Sequence, residues 1–252
     1  MALEYVLFLP GLACDQEVWR YPSRQVSEVA SVSVADYGGS DSIKKMVETA
    51  LRRAPDSFAL VGHSMGGRVA LEVVRRVPER VAGMALLDTA YRSFVPGEVG
   101  ERETAERLRL VDLARSRGMR AMALDWVQKM VHPSRLSDAA LIQSIVDMFA
   151  RKSPEIFAGQ IKALLERPDG TPVLSTIRCP TLVLCGREDS WSVPLTHRQI
   201  AARIPRSKLV MIENCGHMAP MERPSQVTAA LLAWLEAVRR EPEPRPPEAN
   251  RC

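Results

Sequence analysis

"FALVGHSMGGRVALEVV", residues 58–74, changes its apolar period halfway along. Phe58 to Val61 form an unbroken apolar run, the pattern of a short buried strand, whereas Val69, Ala70, Val73 and Val74 recur at helical spacing. A strand that passes straight into a helix must bend sharply at Ser64, and side chains at Gly62 and Gly66 would crowd that bend. In a G-x-S-x-G turn the serine is strained and its hydroxyl exposed. The free N–H groups of a helix starting at Met65 would point toward the space above it, where an oxyanion can be stabilised. A glycine-rich turn without chemistry has the same spelling, so the partners must decide.

The chain offers four histidines as a base: His63, His132, His197 and His217. His132 precedes Pro133 in a polar stretch and His197 lies on an Arg-containing helix, so both are expected to be exposed. His63 adjoins Ser64, but successive strand side chains point to opposite faces, which makes packing or hydrogen bonding beside the cleft its expected role. His217 follows the apolar run "KLVMIE" and sits in "NCGHMAP", where Gly216 and Pro220 mark a loop at a strand end. Open α/β sheets place functional residues there. For the acid that orients the imidazole, Asp189 in "TLVLCGREDSWSVP" fits best. Asp88 in "MALLDTA" is the rival and Glu188 a weaker one.

Together these segments resemble the α/β-hydrolase superfamily, specifically its small bacterial esterase-like members that open with an LPGLxCD segment, here "LPGLACDQEVW", residues 9–19. The resemblance runs from about Tyr5 to Val238, through "GHSMGG", "PERVAGMALLDT", "RCPTLVLCGREDSWSVP" and "NCGHMAPMERP". It implies the order Ser64, Asp189, His217 for a triad, and it implies an oxyanion hole built from the backbone N–H groups of Leu12 and Met65. Pro10 stands where the commoner form of the oxyanion loop has histidine; because both donors are backbone groups, the hole survives that change.

A chain of 252 residues with 46% apolar and 25% charged content can bury a large core as one soluble unit. The excess of 34 basic over 30 acidic residues is scattered in Arg and Glu pairs, as in "GERETAERLRL", which reads as solvated helix faces and not as a nucleic-acid surface. No apolar run approaches the roughly 20 residues that span a bilayer. "MALE" lacks the basic start of a signal peptide, and five cysteines without metal-ligand spacing read as reduced thiols, so a cytoplasmic protein is expected. Cys14 and Cys215 lie in motifs that should border the site, where a packing role is expected over a redox one.

Six apolar strand candidates, Tyr5 to Leu9, Val32 to Ala35, Phe58 to Val61, Gly83 to Leu87, Thr181 to Leu184 and Lys208 to Ile212, are separated by helical stretches. That alternation implies an α/β fold with a mostly parallel sheet covered on both faces. The core is expected over 1–89 and 177–240. Residues 90–176 have apolar positions at helical spacing (Leu141, Ile142, Ile145, Val146, Phe149), and the resemblance makes them a cap over the serine. Residues 241–252, "EPEPRPPEANRC", read as a disordered tail.

The expected reaction is hydrolysis of a small-molecule carboxylic ester through an acyl-enzyme, with Ser64 as nucleophile, His217 as general base and acid, and no metal or organic cofactor. Trp191, Met218, Trp126 and Met122 are the candidate substrate contacts; polarizable thioethers and rings without a fixed charge partner would favour neutral short- to medium-chain esters. Two other readings stay open. An enol-lactonase or a menaquinone-pathway-type lyase acting on an anion would need arginines in the pocket, for which Arg68, Arg92 and Arg187 are candidates. A hydrolase-fold binding protein without catalysis is the third. Dehalogenase or epoxide hydrolase chemistry would put Asp at position 64.

Overall fold

A computed structural model of the chain describes residues 4–240; the tail expected over 241–252 lies outside them. The strands are β1 (Tyr5–Leu9), β2 (Ser31–Val34), β3 (Phe58–His63), β4 (Val81–Leu87), β5 (Thr181–Gly186) and β6 (Ser207–Ile212). They form one parallel sheet in the order β2-β1-β3-β4-β5-β6. β3 and β5 are buried throughout, β1 and β4 nearly so, while the edge strands β2 and β6 are largely half-exposed. Central strands of a sheet covered on both faces have no solvent side, which explains their unbroken Val, Leu and Ala runs.

The chain starts at β1, one strand in from the edge, moves out to β2, returns past β1 to β3, and then proceeds outward to β6. The strand order reverses between β1 and β3, whose carboxyl ends lie side by side with Leu9 opposite Gly62. A crevice at such a reversal is where open α/β sheets bind ligands. The loop after β1 and the bend at Ser64 therefore share it.

The helices are α1 (Arg20–Val26), α2 (Ile43–Leu51), α3 (Met65–Arg76), α4 (Glu98–Arg117), α5 (Met119–Val127), α6 (Ala139–Ala150), α7 (Pro154–Leu165), α8 (Thr171–Leu174), α9 (Pro194–Ala201), α10 (Ala219–Glu222) and α11 (Pro224–Arg239). α4 to α8 all fall between β4 and β5. Their boundaries follow local chemistry: Gly118 at φ 84° separates α4 from α5, Asp138 caps α6 by accepting from the Leu141 N–H, and Ser153 caps α7 ahead of Pro154. Trp126 of α5 joins this insertion together, with its ring 5.2 Å from Phe149, 6.0 Å from Phe157 and 5.8 Å from Trp191 in the loop after β5. Among the described residues no helix is long and apolar enough to cross a membrane.

Candidate active site

Ser64 caps α3 with φ 54° and ψ −116°, a backbone state that a side-chain-bearing residue adopts only when its surroundings force it. The force comes from close approach. A Cβ on Gly66 would lie 2.0 Å from the carbonyl oxygen of Leu9, and one on Gly62 2.6 Å from that of Gly66. Two hydrogen bonds tie the bend to the end of β4: the Ser64 N–H donates to the Leu87 carbonyl at 2.9 Å, and the Thr89 hydroxyl donates to the Ser64 carbonyl at 2.6 Å.

His217 brings Nε2 to 2.9 Å from the Ser64 hydroxyl and Nδ1 to 2.8 Å from Asp189 Oδ2. Asp189 Oδ1 accepts from the N–H groups of Trp191 at 2.8 Å and Ser192 at 2.9 Å. Burial raises the Asp189 carboxyl, but His217 and the two amides outweigh it and hold the group below the usual carboxylate range. An ionised acid, an imidazole and a hydroxyl thus stand in one hydrogen-bonded line. Such a line can lower the barrier to removing the hydroxyl proton by stabilising the imidazolium that results.

Asp88 ends β4 as the sequence suggests, yet its oxygens turn away from His217, accepting from the N–H groups of Gly186 at 3.0 Å and Ala219 at 3.2 Å. Burial, then the Asp189 charge, pushes its pKa well above the ordinary value. Glu188 accepts instead from the Cys215 N–H at 3.0 Å. Asp88, Cys185 and Asp189 do gather their ligand atoms within 4.8 Å of one another. The Asp oxygens already accept hydrogen bonds, and burial with the two Asp charges drives the Cys185 thiol far up, so the donor set is a poor match for a metal.

Two histidines depart from expectation. His197 is fully buried, not exposed: α9 packs against β5 and β6, and Nε2 accepts from the Thr89 N–H at 2.9 Å. Burial lowers its pKa to about 4. His132 is half-buried. His63 is buried and Nε2 lies 2.8 Å from the carbonyl oxygen of His217, so the proton sits on Nε2; burial and the nearby His217 lower its pKa to about 3.

Leu12 and Met65 are buried and line the cavity that contains Ser64 and His217. As the first residue of α3, Met65 has no partner for its N–H within the helix. The loop that carries Leu12 turns at Ala13, with φ 59°, and the Ala13 N–H donates at 2.8 Å to Oε1 of Gln160, a buried residue of α7. Cys14 and Cys215 are buried, and burial pushes both thiols far up, which fits packing.

The cavity measures about 470 Å³. Of the expected substrate contacts, Trp126 and Trp191 line it, whereas Met122 and Met218 do not. Met122 lies one turn back along α5 from Trp126, buried within the insertion, and Met218 is buried beneath its own loop. The expectation of a pocket with no fixed charge partner is also corrected, because Arg68, Arg92, Arg107, Arg167 and Glu103 stand in its wall. Arg187 lies elsewhere, paired with Glu213 at 2.6 Å.

Residues that motif reading passes over hold the functional loops. The Lys129 carbonyl accepts from Trp191 Nε1 at 3.1 Å and from the Ser190 hydroxyl at 3.3 Å, and the Met130 carbonyl accepts from the His217 N–H at 2.7 Å. Glu222 accepts from the N–H groups of Gly216 and Met218 in the histidine loop and of His132 in the insertion. Its place five residues after His217 was a usable clue, since a carboxylate amid apolar loop residues needs several donors.

Residues 6–231 match the Alpha/beta hydrolase family. A 2-succinyl-6-hydroxy-2,4-cyclohexadiene-1-carboxylate synthase of Salmonella paratyphi A is 26% identical over 247 residues, covering 91% of this chain and 93% of the relative. A pimeloyl-[acyl-carrier protein] methyl ester esterase of Cronobacter sakazakii is 25% identical over 241 residues, covering 91% and 92%. The solved structure of a thermophilic esterase from Thermogutta terrifontis, with malate bound, superposes with a TM-score of 0.85 at 28% identity, covering 94% of this chain and 91% of that one.

Proposed function

The chain belongs to the alpha/beta hydrolase family, and we propose that within it the protein is a serine hydrolase of carboxylic esters. The observation that carries this reading is the unbroken line Ser64 Oγ, His217 Nε2, His217 Nδ1, Asp189 Oδ2, with contacts of 2.9 and 2.8 Å. His217 takes the hydroxyl proton as Ser64 attacks the ester carbonyl, and Asp189 stabilises the imidazolium. The oxyanion is received by the N–H groups of Leu12 and Met65. His217 then hands the proton to the departing alkoxide, and a water activated by the same imidazole releases the acid. The helical insertion acts as a cap, which is supported by Trp126, Met130 and Leu164 forming part of the cavity wall. Leu12, Met65, Trp126 and Trp191 provide the apolar surface for an alkyl chain, each buried methylene contributing up to about 0.8 kcal/mol. The four described cysteines are free, which supports the cytoplasmic setting.

The test combines turnover with labelling. Wild-type protein should hydrolyse p-nitrophenyl butyrate and take up one fluorophosphonate at Ser64, read by mass spectrometry of the peptide. Ser64→Ala should remain folded and lose about a thousandfold or more in kcat. Near wild-type turnover by purified Ser64→Ala removes the nucleophile assignment, and a wild-type protein that neither turns over nor labels removes the serine-hydrolase reading.

A further inference from the structure

The cavity beside Ser64 carries an excess of positive charge. Arg68 of α3, Arg107 of α4, Arg167 after α7 and Glu103 of α4 all line it. Arg92 lines it too, with its Nε donating to the Tyr91 hydroxyl at 3.1 Å, and Glu103 serves two of the four guanidinium groups. It accepts from Arg167 Nη1 and Nη2, both at 2.8 Å, and from Arg107 Nε and Nη2, both at 2.9 Å through Oε1 of the acid. Arg68 has no carboxylate partner among the described residues; its Nη1 donates to the Arg92 carbonyl at 2.8 Å, and its Nε and Nη2 have no acceptor there.

These arginines divide into two kinds. Arg167 is buried and also donates to the carbonyls of Arg92 and Leu164, so it holds the insertion together. Arg68 holds little that a neutral donor could not hold. Partial desolvation in the wall, then the charges of Arg167 and Arg107, lower its pKa to about 9 against the pull of Glu103, so it is still a cation at neutral pH. A half-buried cation with no direct carboxylate partner among the described residues leaves donors free for an anionic group that enters the cavity. Arg68 follows Ser64 by one helical turn, roughly 6 Å along the axis. The free donors of a planar guanidinium suit a carboxylate.

We infer that the arginine-lined part of the cavity is a receptor for a carboxylate carried by the substrate: the preferred ester has a free carboxylate a few bonds from its scissile carbonyl, held by Arg68 with Arg107 while the carbonyl sits at Ser64. The inference rests on the serine-hydrolase reading for the scissile end and on the arginines alone for the other. Glu103 spaces Arg107 and Arg167, and Leu12, Trp126 and Trp191 accept the chain between the two ends.

The test pairs methyl hexanoate with monomethyl adipate, equal in acyl length and differing in the terminal carboxylate, in proton-release assays on wild type, Arg68→Gln and Arg68→Lys. Binding of adipate and of its neutral diamide to Ser64→Ala, with and without Arg68→Gln, is measured by calorimetry. Wild type should favour monomethyl adipate in kcat/KM by tenfold or more. Arg68→Gln should bring the ratio close to one, and Arg68→Lys should restore part of it. Ser64→Ala should bind adipate at least tenfold more tightly than the diamide, a difference lost with Arg68→Gln. Equal turnover of the two esters by wild type, an equal loss for both in Arg68→Gln, or equal binding of adipate and diamide overturns the receptor and leaves the hydrolase reading standing. Arg68-dependent adipate binding in a protein that cleaves neither ester does the reverse.

Discussion

The imidazole of His63 donates through Nε2 to the carbonyl oxygen of His217 at 2.8 Å, so the residue before the proposed nucleophile holds the backbone of the proposed base. The two rings lie 5.3 Å apart, and Trp19 meets His63 edge-on at 6.1 Å. Replacing His63 by Phe keeps the packing and removes the donor, leaving a buried carbonyl unpaired. kcat should fall about 10- to 100-fold, the range seen when a partner behind a functional group is lost, with KM changed far less. His63→Gln, which can still donate, should recover much of the loss. Equal kcat in His63→Phe and wild type would show that the bond is dispensable.

Asp189 and Asp88 make separable predictions. Asp189→Asn should lower kcat by about a thousandfold or more, because the imidazole loses its charged acceptor. Asp88→Asn should retain most activity and lose stability, since one of the two amides it serves, Gly186 or Ala219, would meet an NH2 group; the cost is about 1–3 kcal/mol. Chemical denaturation read beside steady-state turnover separates the effects. The opposite pattern would make Asp88 the acid.

Gln160 tests the oxyanion side. In Gln160→Leu the Ala13 N–H has no acceptor, and the loop bearing Leu12 loses its tie to α7. Because an oxyanion donor acts on the transition state more than on bound substrate, kcat should drop by about tenfold or more while KM changes little. A variant that loses only affinity would assign Gln160 to substrate binding.

Acid should destabilise the protein through its buried histidines. Burial lowers His197 to about 4 and His63 to about 3, against an ordinary value of 6.5. Below pH 6.5 the unfolded chain binds protons that the folded chain refuses, so stability is lost as pH falls, to about pH 4 for His197 and about pH 3 for His63. Integrated over its window, each histidine contributes on the order of a few kcal/mol to that loss. His197→Gln, which keeps an acceptor for the Thr89 N–H, should show a shallower loss between pH 6.5 and 4 in urea unfolding. An unchanged slope would mean that His197 is protonated in the native state.

Much of the fold and of the candidate site was legible because each decisive residue has a local address. Ser64, Asp189 and His217 follow apolar strand runs and lie beside glycine-marked loops, and the strand spacing alone implies the parallel sheet. Arg68 was legible only as one of three candidate pocket arginines, since "MGGRVALEVVRR" is an amphipathic helix whose arginines look alike, and nothing in the sequence separates Arg68 and Arg92, which line the cavity, from Arg187, which does not. The surroundings of Arg68 come from Glu103, Arg107 and Arg167, which the chain brings in from the insertion. His197 misleads for a similar reason: its partner, the Thr89 N–H, is 108 residues away. Met122 and Trp126 share a helical face by spacing, and only the depth of α5 decides that the tryptophan reaches the cavity.

The paired anchorage of the acid and histidine loops on Lys129 and Met130 limits how this protein can be re-engineered. Swinging the whole insertion aside would strip hydrogen bonds from both loops, so it is part of the chassis and not a detachable door. A graft of this segment from a relative must bring along a turn that presents two carbonyls in the same places, or the recipient will fold with its His217 loop unanchored. Libraries aimed at new acyl groups are better directed at Arg92, Ser93, Val95 and Leu195, which border the cavity and contribute nothing to that anchorage.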